Sequence, residues 1–585
     1  MRTEIKPHLK SWFYGAAASI PVLLTILAYW PSLGNHFTNW DDTEAILWNP
    51  HIRALTPHNL HWMWTTFHLG NWIPLTWISL ALDYRVGKLD PWVYHLDNLF
   101  WHCLNTLLVF FLGVRLLKLA VKIGPPEGKG REEWVVWAAF LTALLFGLHP
   151  IHVESVAWAT ERKDLLYAFF FLLSLWVYLD YASGPMPKAG KLTACLGLFL
   201  AALGAKPMAV TLPVVFLIVD AWPLGRFQTQ RPKVFLEKIP FFLVAAFSVA
   251  LTSAAQSSAG SVTGLAVVPL DYRAMNLLHS LAFYLGKMIY PAGLAALYPI
   301  DLRKTFSLDY VFSSLAAVWI FLVCVLSRKK LPGLMAALAY YLVTLAPVLG
   351  IVQVGSQCAA DRYTYLPSLA PFLLLGAASA RVMAGRRWVL PLAAGALAAF
   401  LGLGTLHQTQ TWKDTVTLWG NVLRVNPRNC EIPHANLADG LMEAGNLEGA
   451  LVEFNRAIAI DPSAAYPHDG KGMALLRQGK LEAAEGELKT AVQLEPKNAR
   501  YLCHLGMAHV EMKKPLDALA EFQESILADP DFAEAYHQVG LIHLGGGKPG
   551  IAREVFQKAL DLDPDNGRYR ADWDAATQNQ VETGK

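Results

Sequence analysis

The stretch WFYGAAASIPVLLTILAYWPSL, Trp12 to Leu33, is followed within eight residues by the pair Asp41-Asp42. Its 22 residues carry no charge, and at roughly 1.5 Å per residue a helix of that length crosses a hydrocarbon core of ~30 Å. Two carboxylates are thereby set at a bilayer surface, in a loop crowded with Trp and His. A cleavable signal peptide fits less well, since the apolar run exceeds the usual h-region and no A-x-A site follows.

Composition agrees with a membrane protein: of 585 residues, 54% are hydrophobic and 16% charged, outside the ordinary soluble range. The chain also divides by charge. Of 49 Lys and Arg and 46 Asp and Glu, 18 and 26 lie from Trp412 onward, which leaves 31 and 20 before it. A basic excess among apolar spans marks cytoplasmic loops rather than nucleic-acid binding. The six cysteines stand singly, without the CxxC spacing of a zinc site or a disulfide framework.

Basic residues set the expected topology. Arg2, Lys6 and Lys10 precede the first span, which places the N-terminus in the cytoplasm and the Asp41-Asp42 loop on the other side. Arg115, Lys118, Lys122, Lys129 and Arg131 mark a second inside loop, Lys188 and Lys191 a third, and Arg226, Arg231, Lys233 and Lys238 a fourth. Arg328 to Lys330 and Arg381, Arg386 and Arg387 must share that side, so Leu277 to Leu297, broken by Lys287, Pro291 and Gly293, reads as re-entrant rather than crossing. About eleven crossings result, and the acidic C-terminal region faces outward with Asp41 and Asp42.

From Trp412 the sequence repeats every 34 residues. Pro462, Pro496, Pro530 and Pro564 each follow an acid; Gly472, Gly506 and Gly540 recur; and Phe454, Leu488, Phe522 and Phe556 fill a common large position. This is the tetratricopeptide pattern of paired helices, with a small residue at the helix crossing and Pro as the stop. The expected fold is all-α: a polytopic membrane domain over 1–411, then an α-solenoid of about four full repeats and a partial one over 412–585. Its concave groove suits a peptide or protein partner, although such an array also serves as a brace.

Candidate chemistry lies in the outward loops. Adjacent Asp41 and Asp42 raise one another's proton affinity near a low-dielectric boundary, and either could deprotonate a hydroxyl or hold a metal. The Trp residues around them, Trp48 to Trp77, read as an interfacial belt before a sugar-stacking surface. A second loop carries His149, His152 and Glu154, then Glu161-Arg162-Lys163-Asp164. The H-x-x-H-x-E spacing is not an established metal signature, and loop anchoring is its simpler role. Arg162, Lys163, Lys206 and Arg362 are cations placed to meet a lipid phosphate, with Asp361, Tyr363 and Tyr365 beside the last of them.

Four segments, Asn39-Trp40-Asp41-Asp42, HPIHVESVAWATERKDLL (149–166), KPMAVTLP (206–213) and DRYTYLP (361–367), followed by the 34-residue array, resemble the transmembrane and tetratricopeptide-repeat containing proteins and their bacterial members across nearly the whole chain. That family is similar to the GT-C glycosyltransferases. The resemblance implies a polyprenyl-phosphate-linked sugar as donor, mannose in the eukaryotic members, and Ser or Thr hydroxyls as acceptors. It also implies an acidic base in the first outer loop, Asp41 before Asp42, and a bacterial cytoplasmic membrane as location. A divalent metal is allowed without being required. Eukaryotic members have Lys-Glu where this chain has Lys206-Pro207, which leaves sugar and acceptor open. A membrane-anchored scaffold and a transporter of lipid-linked substrates are the alternatives; a transporter would carry its ionisable groups at mid-membrane.

Overall fold

The computed structural model describes residues 7–121, 131–184, 189–383, 388–426 and 430–583. Of the basic topology markers, Arg2, Lys6, Lys122, Lys129, Lys188, Arg386 and Arg387 lie outside them. The chain forms two compact units: Met1–Leu47 with Ala54–Thr417, and Trp48–Arg53 with Leu418–Lys585.

The first unit is helical. Among the described residues six helices are long and apolar enough to cross a membrane: Trp12–Gly34, Pro91–Ala120, Ala159–Ser183, Arg231–Ser258, Leu308–Ser327 and Val389–Trp412. Glu132–Leu148 and Pro150–Ala157 form a pair bent by 48° at Pro150, and four shorter apolar helices are Ala189–Ala205, Pro207–Ala221, Pro332–Val348 and Leu369–Val382. The bend follows from Pro150, whose ring cannot continue the preceding helix.

Leu270–Ile289 is also a helix of 20 residues, but it carries Asp271, Arg273 and Lys287 and is not among the apolar candidates. It ends before Pro291, and Gly293 follows at φ +61°, a left-handed turn that glycine adopts without strain. The segment after it reaches a short antiparallel strand pair, Tyr298–Pro299 with Gln357–Ala359.

Two residues of the fourth basic loop are not solvated markers. Arg226 pairs with Asp220 at 3.0 Å and Glu237 at 2.6 Å, and Lys238 pairs with Asp220 at 2.5 Å. All four are buried, so these charges are matched inside the protein rather than offered to lipid headgroups.

In the second unit the period of 34 becomes four antiparallel helix pairs. They are Glu431–Glu443 with Leu447–Ile460, Ala465–Arg477 with Leu481–Leu494, Ala499–Glu511 with Pro515–Ala528, and Ala533–Gly545 with Pro549–Leu562. A last helix, Gly567–Thr583, covers the end. The repeated Gly and the repeated large residue meet across each pair: a Cβ on Gly506 would lie 2.6 Å from the Phe522 ring, and one on Gly540 2.4 Å from Phe556. Phe454, Leu488, Phe522 and Phe556 are fully buried. The segment Trp48–Arg53 completes this unit, with Arg500 lying 4.0 Å over the Trp48 ring and Ile52 fully buried.

Candidate functional site

The apolar helix ending near Gly34 leads into a tight loop whose two carboxylates have different surroundings. Asp42 is buried and accepts four hydrogen bonds. Its Oδ2 takes the Thr38 amide at 2.9 Å and the Thr38 hydroxyl at 3.2 Å, and its Oδ1 takes the Thr160 amide at 3.0 Å and the Thr160 hydroxyl. Asp41 instead leaves its side chain 34% exposed, 3.6 Å from Lys163 Nζ. The first carboxylate ties two loops together, and the second faces outward.

Burial pushes Asp42 up to about 6, while the bonds from Thr160 and Thr38 pull the other way. A carboxyl raised from its unfolded value of 3.8 adds stability that is fully present below that value and is lost as pH rises through about 6. We expect wild-type stability to fall by about 3 kcal/mol across this window through Asp42 alone. Thermal unfolding of Asp42→Asn in detergent between pH 4 and 7 should show a correspondingly flatter slope; an unchanged slope would remove Asp42 as its source.

From Lys163 a chain of ion pairs runs inward. Lys163 lies 3.1 Å from Glu161 Oε1, and Lys206 Nζ lies 3.3 Å from Glu161 Oε2 while also pairing with Asp164. Arg362 Nε lies 3.5 Å from Glu161 Oε1, and its guanidinium pairs with Glu154. Glu154 additionally accepts the Arg362 backbone amide at 2.8 Å. Ser155 donates to Asp164 at 3.0 Å. Lys163 and Arg362 both lie over the Trp158 ring, at 5.5 and 5.4 Å, and Trp158 stacks between Trp40 and Trp412. Three of the four expected cations, Lys163, Lys206 and Arg362, thus converge on Glu161, and Lys163 links them to Asp41.

Arg162 does not join them. Its guanidinium points the other way and is fully buried, donating to Ser79 at 2.8 Å, Asp83 at 2.8 Å and the Tyr94 carbonyl at 2.9 Å, as well as to Asp97 and Asn98. Every nitrogen of that guanidinium is occupied, so it stands as a strut behind the site.

The histidines are occupied too. His149 Nε2 donates to the Met288 carbonyl at 2.9 Å and Nδ1 accepts the Ile151 amide at 3.2 Å. His152 bonds the Phe146 carbonyl at 2.8 Å and the Ser368 hydroxyl at 3.0 Å. Tyr365 is buried against His102 at 2.7 Å. Among the described residues no group of three or more His, Cys, Asp or Glu is placed to hold a metal ion. Asp361 accepts from the Tyr298 hydroxyl at 3.0 Å and the Ala295 amide at 3.1 Å, and burial, then the charge of Glu154, hold its carboxyl well above the usual carboxylate range. Tyr363 accepts from Gln357 at 2.9 Å.

A cavity of about 830 Å³ opens beside the cluster, lined by Lys206 and Tyr363, by further polar residues such as Asn71, Gln256 and Gln353, and by apolar ones such as Val210, Val214 and Val343. A mainly apolar cavity with polar groups in its wall is the usual form of a site for a small or amphipathic ligand. The sequence reading left Glu161, Asp164, Thr160 and Trp158 without a role. The one signal for the two acids is their i, i+3 spacing around Arg162-Lys163, which sets them on one helix face.

Parts of the chain are similar to known proteins. A tetratricopeptide-repeat family model matches residues 435–499, 470–524 and 503–567. A protein O-mannosyl-transferase of Caenorhabditis elegans is 24% identical over 76% of this chain and 62% of its own length. The protein O-mannosyl-transferase tmtc2 of Xenopus laevis is 32% identical over 39% of this chain and 26% of its own length. The chain therefore spans about three fifths or less of these relatives. Among solved structures, MamA is 24% identical, covers 26% of this chain and 90% of its own, and aligns with a TM-score of 0.23.

Proposed function

We propose that this chain, which is similar to proteins named protein O-mannosyl-transferases, moves a sugar from a polyprenyl phosphate to a hydroxyl of a protein acceptor. Mannose is the sugar the relatives' names favour. The observation that carries this reading is the run of ion pairs from Asp41 to Lys163 and, through Glu161, on to Lys206 and Arg362, next to a cavity that Lys206 also lines.

In the proposed step Asp41 accepts the proton of the acceptor hydroxyl as its oxygen attacks the anomeric carbon. The new bond to that oxygen forms as the bond from the anomeric carbon to the phosphate oxygen breaks, with inversion, and the electron pair leaves on the lipid phosphate. Lys163, Lys206 and Arg362 stabilise that growing charge, and partial burial strengthens their effect. Asp42 fixes the loop so that Asp41 keeps its position. The cavity would take the first isoprene units of the carrier. The repeats hold the acceptor and raise its effective concentration. The setting we propose is a bacterial cytoplasmic membrane, with the N-terminus inside and the array on the outer face with Asp41.

Mass spectrometry of exported proteins from cells with and without this chain tests the reading. A hexose on Ser or Thr that disappears with the chain supports it. Identical glycan profiles would overturn it in favour of a membrane-anchored scaffold.

A further inference from the structure

Glu161 is almost wholly buried, with 1% of its side chain exposed, yet three cations touch it: Lys163 at 3.1 Å, Arg362 at 3.5 Å and Lys206 at 3.3 Å. Each of the three also has a second anion of its own: Asp41 for Lys163, Asp164 for Lys206 and Glu154 for Arg362. Glu154 and Asp164 belong to the same segment as Glu161 and Asp41 to the first loop, but each of these three pairs with one of the cations, whereas Glu161 joins all three. Three like charges in one poorly solvated space repel one another, and an anion among them is what lets them stay charged and close.

We infer that Glu161 is the positioning residue of this site, the carboxylate that gathers Lys163, Lys206 and Arg362 into one arrangement against which a lipid phosphate is held. The inference rests on the glycosyl-transfer reading. Glu161 neither touches the reacting atoms nor takes a proton; it sets the spacing of groups that meet the phosphate. Both carboxylate oxygens are in use, Oε1 on Lys163 and Arg362, Oε2 on Lys206, so an amide of the same shape cannot replace it. Its NH₂ would face a cation.

The test is steady-state transfer by the whole chain in detergent, with polyprenyl-phosphate mannose as donor and an unmodified peptide carrying a free Ser or Thr hydroxyl as acceptor. For Glu161→Gln we expect kcat to fall by about 10²-fold, the penalty typical of misplaced positioning groups, with donor KM raised and acceptor KM unchanged. Glu161→Asp keeps the charge one methylene back and should recover part of kcat with wild-type thermal unfolding. Values of kcat and donor KM within about twofold of wild type in both variants would overturn the inference. So would donor and acceptor KM rising together with a lower Tm, since that is what a purely structural role predicts. If Glu161→Gln does not accumulate, Glu161→Asp decides alone: a raised donor KM supports the inference and a wild-type one sinks it. Asp41→Asn in the same assay separates the two levels. An inactive Asp41→Asn beside a normal Glu161→Gln refutes the role of Glu161 alone, whereas full transfer by Asp41→Asn refutes the reading beneath it.

Discussion

Asp41→Asn is expected to lower sugar transfer by about 10²- to 10⁴-fold, the range for loss of a general base, and to leave thermal unfolding where it was. The two halves of that expectation come from one geometry. The carboxylate is a third exposed and its partner Lys163 stands 3.6 Å away, an arrangement worth about 0–1 kcal/mol to folding. Its place at the outer end of the cationic cluster is where an acceptor hydroxyl has access to it. Replacing Asp42 would instead act on the loop itself, because its four hydrogen bonds from Thr38 and Thr160 join two loops, and any loss of transfer would come through the displaced Asp41. Transfer from polyprenyl-phosphate mannose measures the first effect and a melting curve the second. An Asn variant with wild-type transfer would leave the base to be found elsewhere.

Arg162→Leu should destabilise the membrane unit by about 3–5 kcal/mol, the usual consequence of removing one member of a buried ion pair. Asp83 and Asp97 would lose their shared cation. Asn98, which receives Arg162 and in turn donates to the carbonyls of Val156 and Trp158, would lose the contact that orients it. Because Glu161 and Lys163 flank Arg162, activity falls as well, as a result of unfolding rather than of lost chemistry. The check is that transfer per folded molecule, below the melting temperature, stays near wild type; a large fall in kcat with an unchanged Tm would mean that Arg162 meets substrate.

The architecture was legible wherever a pattern recurs. A single Pro or Gly says little, but Gly506 and Gly540 with Phe522 and Phe556 at constant offset state a packing contact, and the helices meet there. The break after Leu270–Ile289 was legible for a similar reason, since Pro291 and Gly293 together leave a helix no way to continue. Side-chain direction was not. Arg162 and Lys163 are equivalent in sequence, yet consecutive helical residues project about 100° apart, and one became a strut while the other reached Asp41. His149 and His152 have a ligand-like spacing whose meaning depends on the Met288 and Phe146 carbonyls that occupy them. The role of Glu161 was hidden because its partners Lys206 and Arg362 lie 45 and 201 residues away in the chain.

The placement of Trp48–Arg53 in the compact unit of the repeats has a bearing on biosynthesis. Arg500 is made 452 residues after Trp48, and at ordinary elongation rates of ~5–20 residues per second the earlier segment waits on the order of 20–90 s for its partner. The array is therefore a discontinuous domain that its own C-terminal stretch cannot complete. The contact of Trp48 with Arg500 forms only after most of the polypeptide has been synthesised, which makes this short segment a poor place to cut the gene.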